Sequence, residues 1–160
     1  MVNMEKTNVM RKLDALKIAH SEHFLGNDKV AISGSEVAKI LNQDPKRVFK
    51  TLVTVSKANN HYVFMVPVEE ELDLKKAASC VNEKALEMLH QKDLLPLTGY
   101  VHGGCSPIGM KKQFKTTIHL TAKDYETIFF SAGKIGYQVE LPLDSLKKVI
   151  RIEEGDIIKD

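Results

Sequence analysis

Lys50 is the residue whose placement asks most for an explanation. It sits in Val48-Phe49-Lys50-Thr51-Leu52-Val53, an otherwise apolar and β-branched run. A strand of that kind is half buried or buried, and an ammonium costs free energy there unless it points to solvent or into a functional cavity. A second candidate lies in Thr98–Gly109, where His102 and Cys105 are embedded among four of the nine glycines. A thiol beside an imidazole can act as a nucleophile, but residues this close in sequence rarely have the geometry of a catalytic pair, and a small loop side chain is the plainer reading of Cys105. His102-x-x-Cys105, or His20 with His23, could contribute to a zinc site. Such a site takes four ligands in matched pairs, and no second C-x-x-C or H-x-x-x-H is present. No metal and no cofactor are therefore expected. The chain also lacks a G-x-S-x-G nucleophile elbow, a G-x-x-x-x-G-K-[ST] phosphate loop and the dinucleotide fingerprint.

The glycine-rich segment can still do chemistry through its backbone. Closely spaced N–H groups with nearby lysines are a recurring way to hold phosphate or a developing oxyanion. Charge along the chain supports that reading. Twenty-three basic and twenty-one acidic residues give a net charge of only +2. Yet no acid occurs between Asp44 and Glu69, which enclose Lys46, Arg47, Lys50 and Lys57, or between Asp93 and Asp124, which enclose Lys111, Lys112, Lys115 and Lys123. The two windows carry +8 and the remainder −6. Scattered over solvated faces these lysines mean little. Brought together by the fold, they would make a basic surface suited to a phosphodiester backbone.

The elements that must position these groups can be read from periodicity and punctuation. Apolar spacing predicts helices over Thr7 to Ala19, from Ser33 to Leu41 with a serine cap and an end at Asp44-Pro45, over Leu72 to Cys80, over Glu83 to His90, and from Pro142 to Val149. His20 to Leu25 reads as a short strand. Val48 to Val55 and His61 to Val68 flank Asn59-Asn60 as an antiparallel hairpin. Thr116 to Leu120, Thr127 to Ser131 and Tyr137 to Leu141 read as further strands, and the glycine density of Thr98 to Gly109 demands a shaped loop. The expected architecture is α+β: one domain over residues 1–160, with a mixed, largely antiparallel curved sheet flanked by helices.

At 160 residues the chain can bury about 70% of the surface it would expose unfolded. Its 43% apolar and 28% charged composition excludes disordered, collagenous and coiled-coil classes. Charges among Met1 to Leu16 argue against a secretory signal, and no stretch approaches a membrane span. Two cysteines are too few for a disulfide scaffold. A cytoplasmic protein with reduced thiols is expected, working as a monomer because no surplus apolar patterning is visible.

Four blocks, in order, carry a family resemblance. They are Val48 to Val53, Leu72 to Ala78, Gly99-Tyr100-Val101-His102-Gly103-Gly104-Cys105-Ser106-Pro107-Ile108-Gly109, and Ser131-Ala132-Gly133-Lys134. Together they resemble the signature of the YbaK/EbsC family, which is related to the editing domain of bacterial prolyl-tRNA synthetase. The resemblance implies a freestanding trans-editing deacylase that removes cysteine from mischarged Cys-tRNA(Pro). No protein nucleophile is needed in that chemistry, since the cysteinyl thiol attacks its own ester carbonyl. The resemblance further implies Lys50, Gly103 and Ser131 as the catalytic residues and Thr51, Tyr100, Gly104, Ser106, Pro107, Gly133 and Lys134 as substrate-binding residues. Implied partners are the acceptor end of tRNA(Pro) and prolyl-tRNA synthetase. Leu25, Ser33 and Gln138 depart from the family pattern at positions that shape the aminoacyl pocket. Alanine or another small residue is thus an alternative substrate, and a non-catalytic module binding tRNA or a synthetase is the alternative of another class.

Overall fold

The computed structural model describes residues 4–160. The first three residues of the expected 1–160 domain and N-terminal segment lie outside the described part. Thr7 caps the first helix, α1 (Asn8–Ala15), in a reciprocal capping box with Met10, and Val9, Met10 and Leu13 form its buried face. The helix stops short of Ala19 because Leu16 closes it and Lys17 turns the chain at φ 58°. Strand β1 (Ser21–Phe24) follows. Ser33 then caps α2 (Gly34–Leu41) by accepting from the Glu36 N–H. Asn42, in the left-handed conformation, ends α2 before Pro45 is reached; Asp44 instead caps a 3-10 turn, Pro45–Arg47.

The hairpin expected from sequence is present as β2 (Phe49–Val55) and β3 (His61–Pro67), in a register that sets Lys50 opposite Val66. Asp73 caps α3 (Leu74–Cys80). The next segment departs from expectation. Glu83 to His90 is not a helix: Glu87–Met88 forms a two-residue strand, β4, on the edge of β2, and Leu89 donates to the Val53 carbonyl. Pairing with an open sheet edge, together with the hold of Tyr62 and Asn60 on Glu83, outweighs the local helical spacing. Helix α4 (Gln91–Thr98) comes later than the sequence suggests and contains Pro96, which masked it. Beyond the glycine loop come β5 (Lys115–His119), β6 (Ile128–Ser131) and β7 (Tyr137–Leu141), then α5 (Leu143–Lys147) after Pro142. A last strand, β8 (Ile152–Gly155), was hidden in sequence by its consecutive glutamates and runs parallel to β5.

The strands form a small sheet in the order β1-β7-β6 and a larger one in the order β4-β2-β3-β5-β8. The mixed, mostly antiparallel α+β expectation holds. An isolated parallel bridge between Val48 and Phe129 joins the sheets, and the main apolar core fills the space between them with Phe49, Met65, Ile118, Phe130 and Val139. β2 is paired with β3 throughout, but on its other side only Val48 reaches the small sheet and only Thr54 and Val55 reach β4. The intervening edge, beginning at Phe49 and Lys50, has no strand partner among the described residues.

Gly136 lies in the β6–β7 turn at φ +87°, where an added Cβ would sit 2.1 Å from the Asn27 carbonyl oxygen, and its own carbonyl accepts from the Leu25 N–H at 2.7 Å. Gly136→Ala should cost about 2–4 kcal/mol through a left-handed backbone and a backbone collision together. Thermal unfolding should record a fall in Tm on the order of 10 °C.

Candidate functional site: a lysine in a gap of the sheet edge

A cleft of about 280 Å³ opens over the unpaired edge of β2. Phe49, Lys50, Thr51 and Leu52 line it from β2, Ser131 and Gln138 from the small sheet, Ser33 and Gly34 from the start of α2, and His102, Gly103 and Cys105 from the glycine loop. Each wall has a local cause. Gly34, the first residue of α2, is close-packed against Val68, which brings the start of the helix to the cleft. Gly103 adopts φ +87° with Ala31 so near that a Cβ would lie 2.5 Å from the Ala31 Cβ; only glycine lets the loop close over this wall.

The structure brings together Lys50, Thr51, Gly103 and Ser131. It does not bring the other sequence candidates to the same cleft. Tyr100 braces the loop: its hydroxyl donates to the Ile108 carbonyl at 2.5 Å. Ser106 is fully buried and accepts from the Ile108 N–H, and Pro107 is buried beside it. Gly104 packs against the backbone of Lys134 and Ile135. Gly133, Lys134 and Tyr100 line a separate cleft of about 320 Å³ with the start of α1, where the Lys134 ammonium pairs with Glu5 and, at 3.5 Å, with Asp28. Ser33 and Gln138, marked from sequence as shaping the aminoacyl pocket, line the cleft, as do His102 and Cys105, weighed there as a pair; Gly34 joins it unpredicted. For Gln138 a signal existed: Tyr137, Val139 and Leu141 alternate as core residues, which puts Gln138 on the other face of β7, directly opposite Ser131.

Among the described residues Lys50 has no ion-pair or hydrogen-bond partner. Burial lowers its pKa, and the nearby carboxylates of Glu71 and Glu70 offset part of that effect. The site holds further unpaired polar atoms. Thr51 Oγ1 and Gln138 Oε1 are buried without a hydrogen-bond partner, while Ser131 Oγ accepts from the Gly133 N–H at 3.2 Å and keeps its own proton to donate. Such groups await a ligand. Cys105 is a poor nucleophile, because burial pushes its thiol up to about 12.

The two basic windows do not merge at this cleft. Arg47 is held by Thr127, by Glu140 at 3.6 Å and by the Phe129 ring. Lys115 pairs in register with Tyr62, at the opposite end of β3 from Val66 and hence from Lys50. Lys50 is the one lysine of either window that lines the cleft.

Fold and cleft define a small α+β domain with one lysine, unpaired among the described residues, lining a cleft at an open sheet edge. The chain belongs to the aminoacyl-tRNA editing domain family, which its residues 30–149 match. A protein of Enterococcus faecalis (strain ATCC 700802 / V583), named as the Cys-tRNA(Pro)/Cys-tRNA(Cys) deacylase EbsC, is 44% identical over 142 residues, covering 89% of this chain and 87% of that protein. A crystal structure described as a trans-editing enzyme for prolyl tRNA synthetase superposes with a TM-score of 0.81 at 18% identity, covering 96% of this chain and 99% of the other. That of hypothetical protein APE2540 superposes with a TM-score of 0.86 at 15% identity, covering 96% and 100%. At those identities the two structures establish the fold.

Because the Cys105 thiol stays protonated at neutral pH, Cys105→Ala should retain deacylation within about threefold, and treating the native protein with iodoacetamide, quenched before the cysteinyl ester is added, should leave its rate unchanged. A loss of a hundredfold or more in a folded Cys105→Ala protein would make this thiol the nucleophile.

Proposed function

We propose that this chain is a trans-acting deacylase that releases cysteine from mischarged Cys-tRNA, with Cys-tRNA(Pro) as its principal substrate. One observation carries the reading: a half-buried lysine without a counter-ion lines a cleft too small for more than an aminoacyl ester and part of its ribose. At about 280 Å³ the cleft falls just below the usual range of ligand pockets, about 300–1,000 Å³. Its apolar lining of Ile32, Val37, Val48, Leu52 and Val68 suits a small side chain. The need for such a site follows from size. A synthetase pocket for proline discriminates against a residue differing by a methylene or so by only about 1–3 kcal/mol, and a second sieve corrects the error.

In the proposed reaction the cysteinyl sulfur attacks its own carbonyl carbon. A C–S bond forms, the C–O bond to the 3′-oxygen breaks, and the thiol proton ends on that oxygen. The products are a four-membered thiolactone, which water opens, and deacylated tRNA. The protein contributes orientation and charge: the Lys50 ammonium stabilises negative charge building on the ester oxygens, and the donating Ser131 hydroxyl and the start of α2 face the same space. The protonated Cys105 thiol is consistent with a mechanism that needs no protein nucleophile. Catalytic roles are proposed for Lys50, Gly103 and Ser131, and ester binding for Thr51; Tyr100, Gly104, Ser106, Pro107, Gly133 and Lys134 serve by holding the loop and the β6–β7 turn. A cleft of this size reads the aminoacyl end only, so selection of tRNA(Pro) calls for prolyl-tRNA synthetase as partner to a monomeric chain in the cytoplasm. The same lining accepts alanine, which lacks the thiol and would require water as nucleophile.

Purified protein assayed with cysteinyl-, alanyl- and seryl-tRNA should accelerate ester loss chiefly from the cysteinyl ester, and Lys50→Ala should remove at least a hundredfold of that acceleration. No acceleration on any ester would refute the reading and leave the non-catalytic module. The pH dependence follows from the lowered pKa of Lys50. Its ammonium is lost at a lower pH than an ordinary lysine's, so the alkaline fall in enzyme-catalysed rate should come early. Glu71→Gln removes a charge that supports the ammonium and should move the fall lower still.

A further inference from the structure

The mouth of the cleft is bordered by side chains left open to solvent. Val30 is 62% exposed and Val101 45%. His102 is exposed as well, with no hydrogen-bond, ion-pair or aromatic partner among the described residues. Scattered singly, such residues mean little. These three lie within two residues of one seam, where Ala31 meets Gly103: a Cβ on Gly103 would sit 2.5 Å from the Ala31 Cβ and 3.6 Å from Ile135 on the β6–β7 turn. Ile32, His102 and Gly103 line the cleft from that seam, and Val30 and Val101 follow just beyond the lining. The display of His102 is fixed by the backbone. The Gly104 N–H donates to the Val101 carbonyl at 3.0 Å, and Gly103 holds φ +87° at the third position, the pattern of a type II turn with His102 at its corner.

The size of the cleft says what this border is for. An ester held with its carbonyl at Lys50 brings its ribose to the mouth, and about 280 Å³ leaves no room for a purine as well. The base joined to that ribose must lie on whatever borders the mouth. What the seam offers is surface to stack on, two isopropyl groups and an imidazole ring. Bases stack on such surfaces irrespective of sequence, because every base has a π-face. We propose that the 3′-terminal nucleobase of the aminoacyl-tRNA lies across this seam, stacked on His102 and covering Val30 and Val101. The proposal rests on the deacylase reading and extends it from the ester to the whole terminal nucleoside. The occupant is set by covalent continuity, since ester, ribose and base arrive as one unit. Anchoring the base outside the cleft would also restrict how the ester can turn within it, which is where orientation contributes to rate.

The test compares cysteinyl-tRNA with the same tRNA ending in an abasic ribose, chemically acylated with cysteine, each kcat/KM being divided by that ester's rate of loss in buffer. The native protein should favour the natural ester by about tenfold or more in this ratio, and a terminal guanosine should perform within about threefold of the natural adenosine. Combining Val30→Ser, Val101→Ser and His102→Ser should bring the natural and abasic esters within about twofold of each other, chiefly by slowing the natural one. Equal acceleration of both esters by the native protein would overturn the proposal with no variant required, the seam then serving another partner. A guanosine ester as slow as the abasic one would overturn it too, because an edge of the base rather than its face would be read. So would an equal loss on both esters in the combined variant. Absence of any acceleration by the native protein would instead overturn the deacylase reading itself.

Discussion

Holding one ammonium half out of water without a counter-ion is the constraint around which this domain is arranged. Burial disfavours the charged form of Lys50, and Glu70 and Glu71 offset that only from a distance. The remaining cost must be carried by the fold. β2 meets it by being fully paired with β3 on one side, so that the strand bearing the lysine is fixed along its length. On the other side the Val48–Phe129 bridge and the Thr54–Met88 pair bracket an open stretch of edge. A sheet edge left open is ordinarily a hazard. Here α2, the glycine loop and the small sheet close round it as walls, converting an unpaired edge into a binding cleft.

Much of that arrangement was legible in the sequence because it rests on local rules. The hairpin follows from two β-branched runs about an Asn-Asn turn, and α2 from a serine cap. The shaped loop follows from glycines at Gly103 and Gly109 that adopt positive φ. Lys50 could be singled out because a charge interrupts an apolar strand. What failed was decided by partners distant in sequence. Glu87 and Met88 became strand because β2 offered an edge, β8 found its place only through parallel pairing with β5, and α4 carries a proline. Resemblance to a family marked Tyr100, Ser106, Pro107, Gly133 and Lys134 alongside Lys50, yet it could not separate residues that face the cleft from those that shape the loop behind it. That partition is three-dimensional.

Charge gives the same lesson in another form. The nearly neutral total conceals two acid-free windows, and the windows conceal a further division. Arg47 is spent on Thr127, Glu140 and Phe129, Lys115 stands at the far end of the sheet, and the cleft keeps one cation. A single ammonium among polar side chains suits the ester end required by the proposed function, under which tRNA selection lies outside this cleft.

The central claim concerns the state of Lys50, and its own titration addresses it most directly. Lysine side-chain signals followed by NMR against pH, with the Lys50 resonance assigned by its disappearance in Lys50→Arg, should show this ammonium deprotonating below the surface lysines. It should move back toward them when a non-hydrolysable aminoacyl-adenosine analogue places an oxygen acceptor beside it. A Lys50 signal that titrates with the surface lysines and does not respond to the analogue would contradict the account.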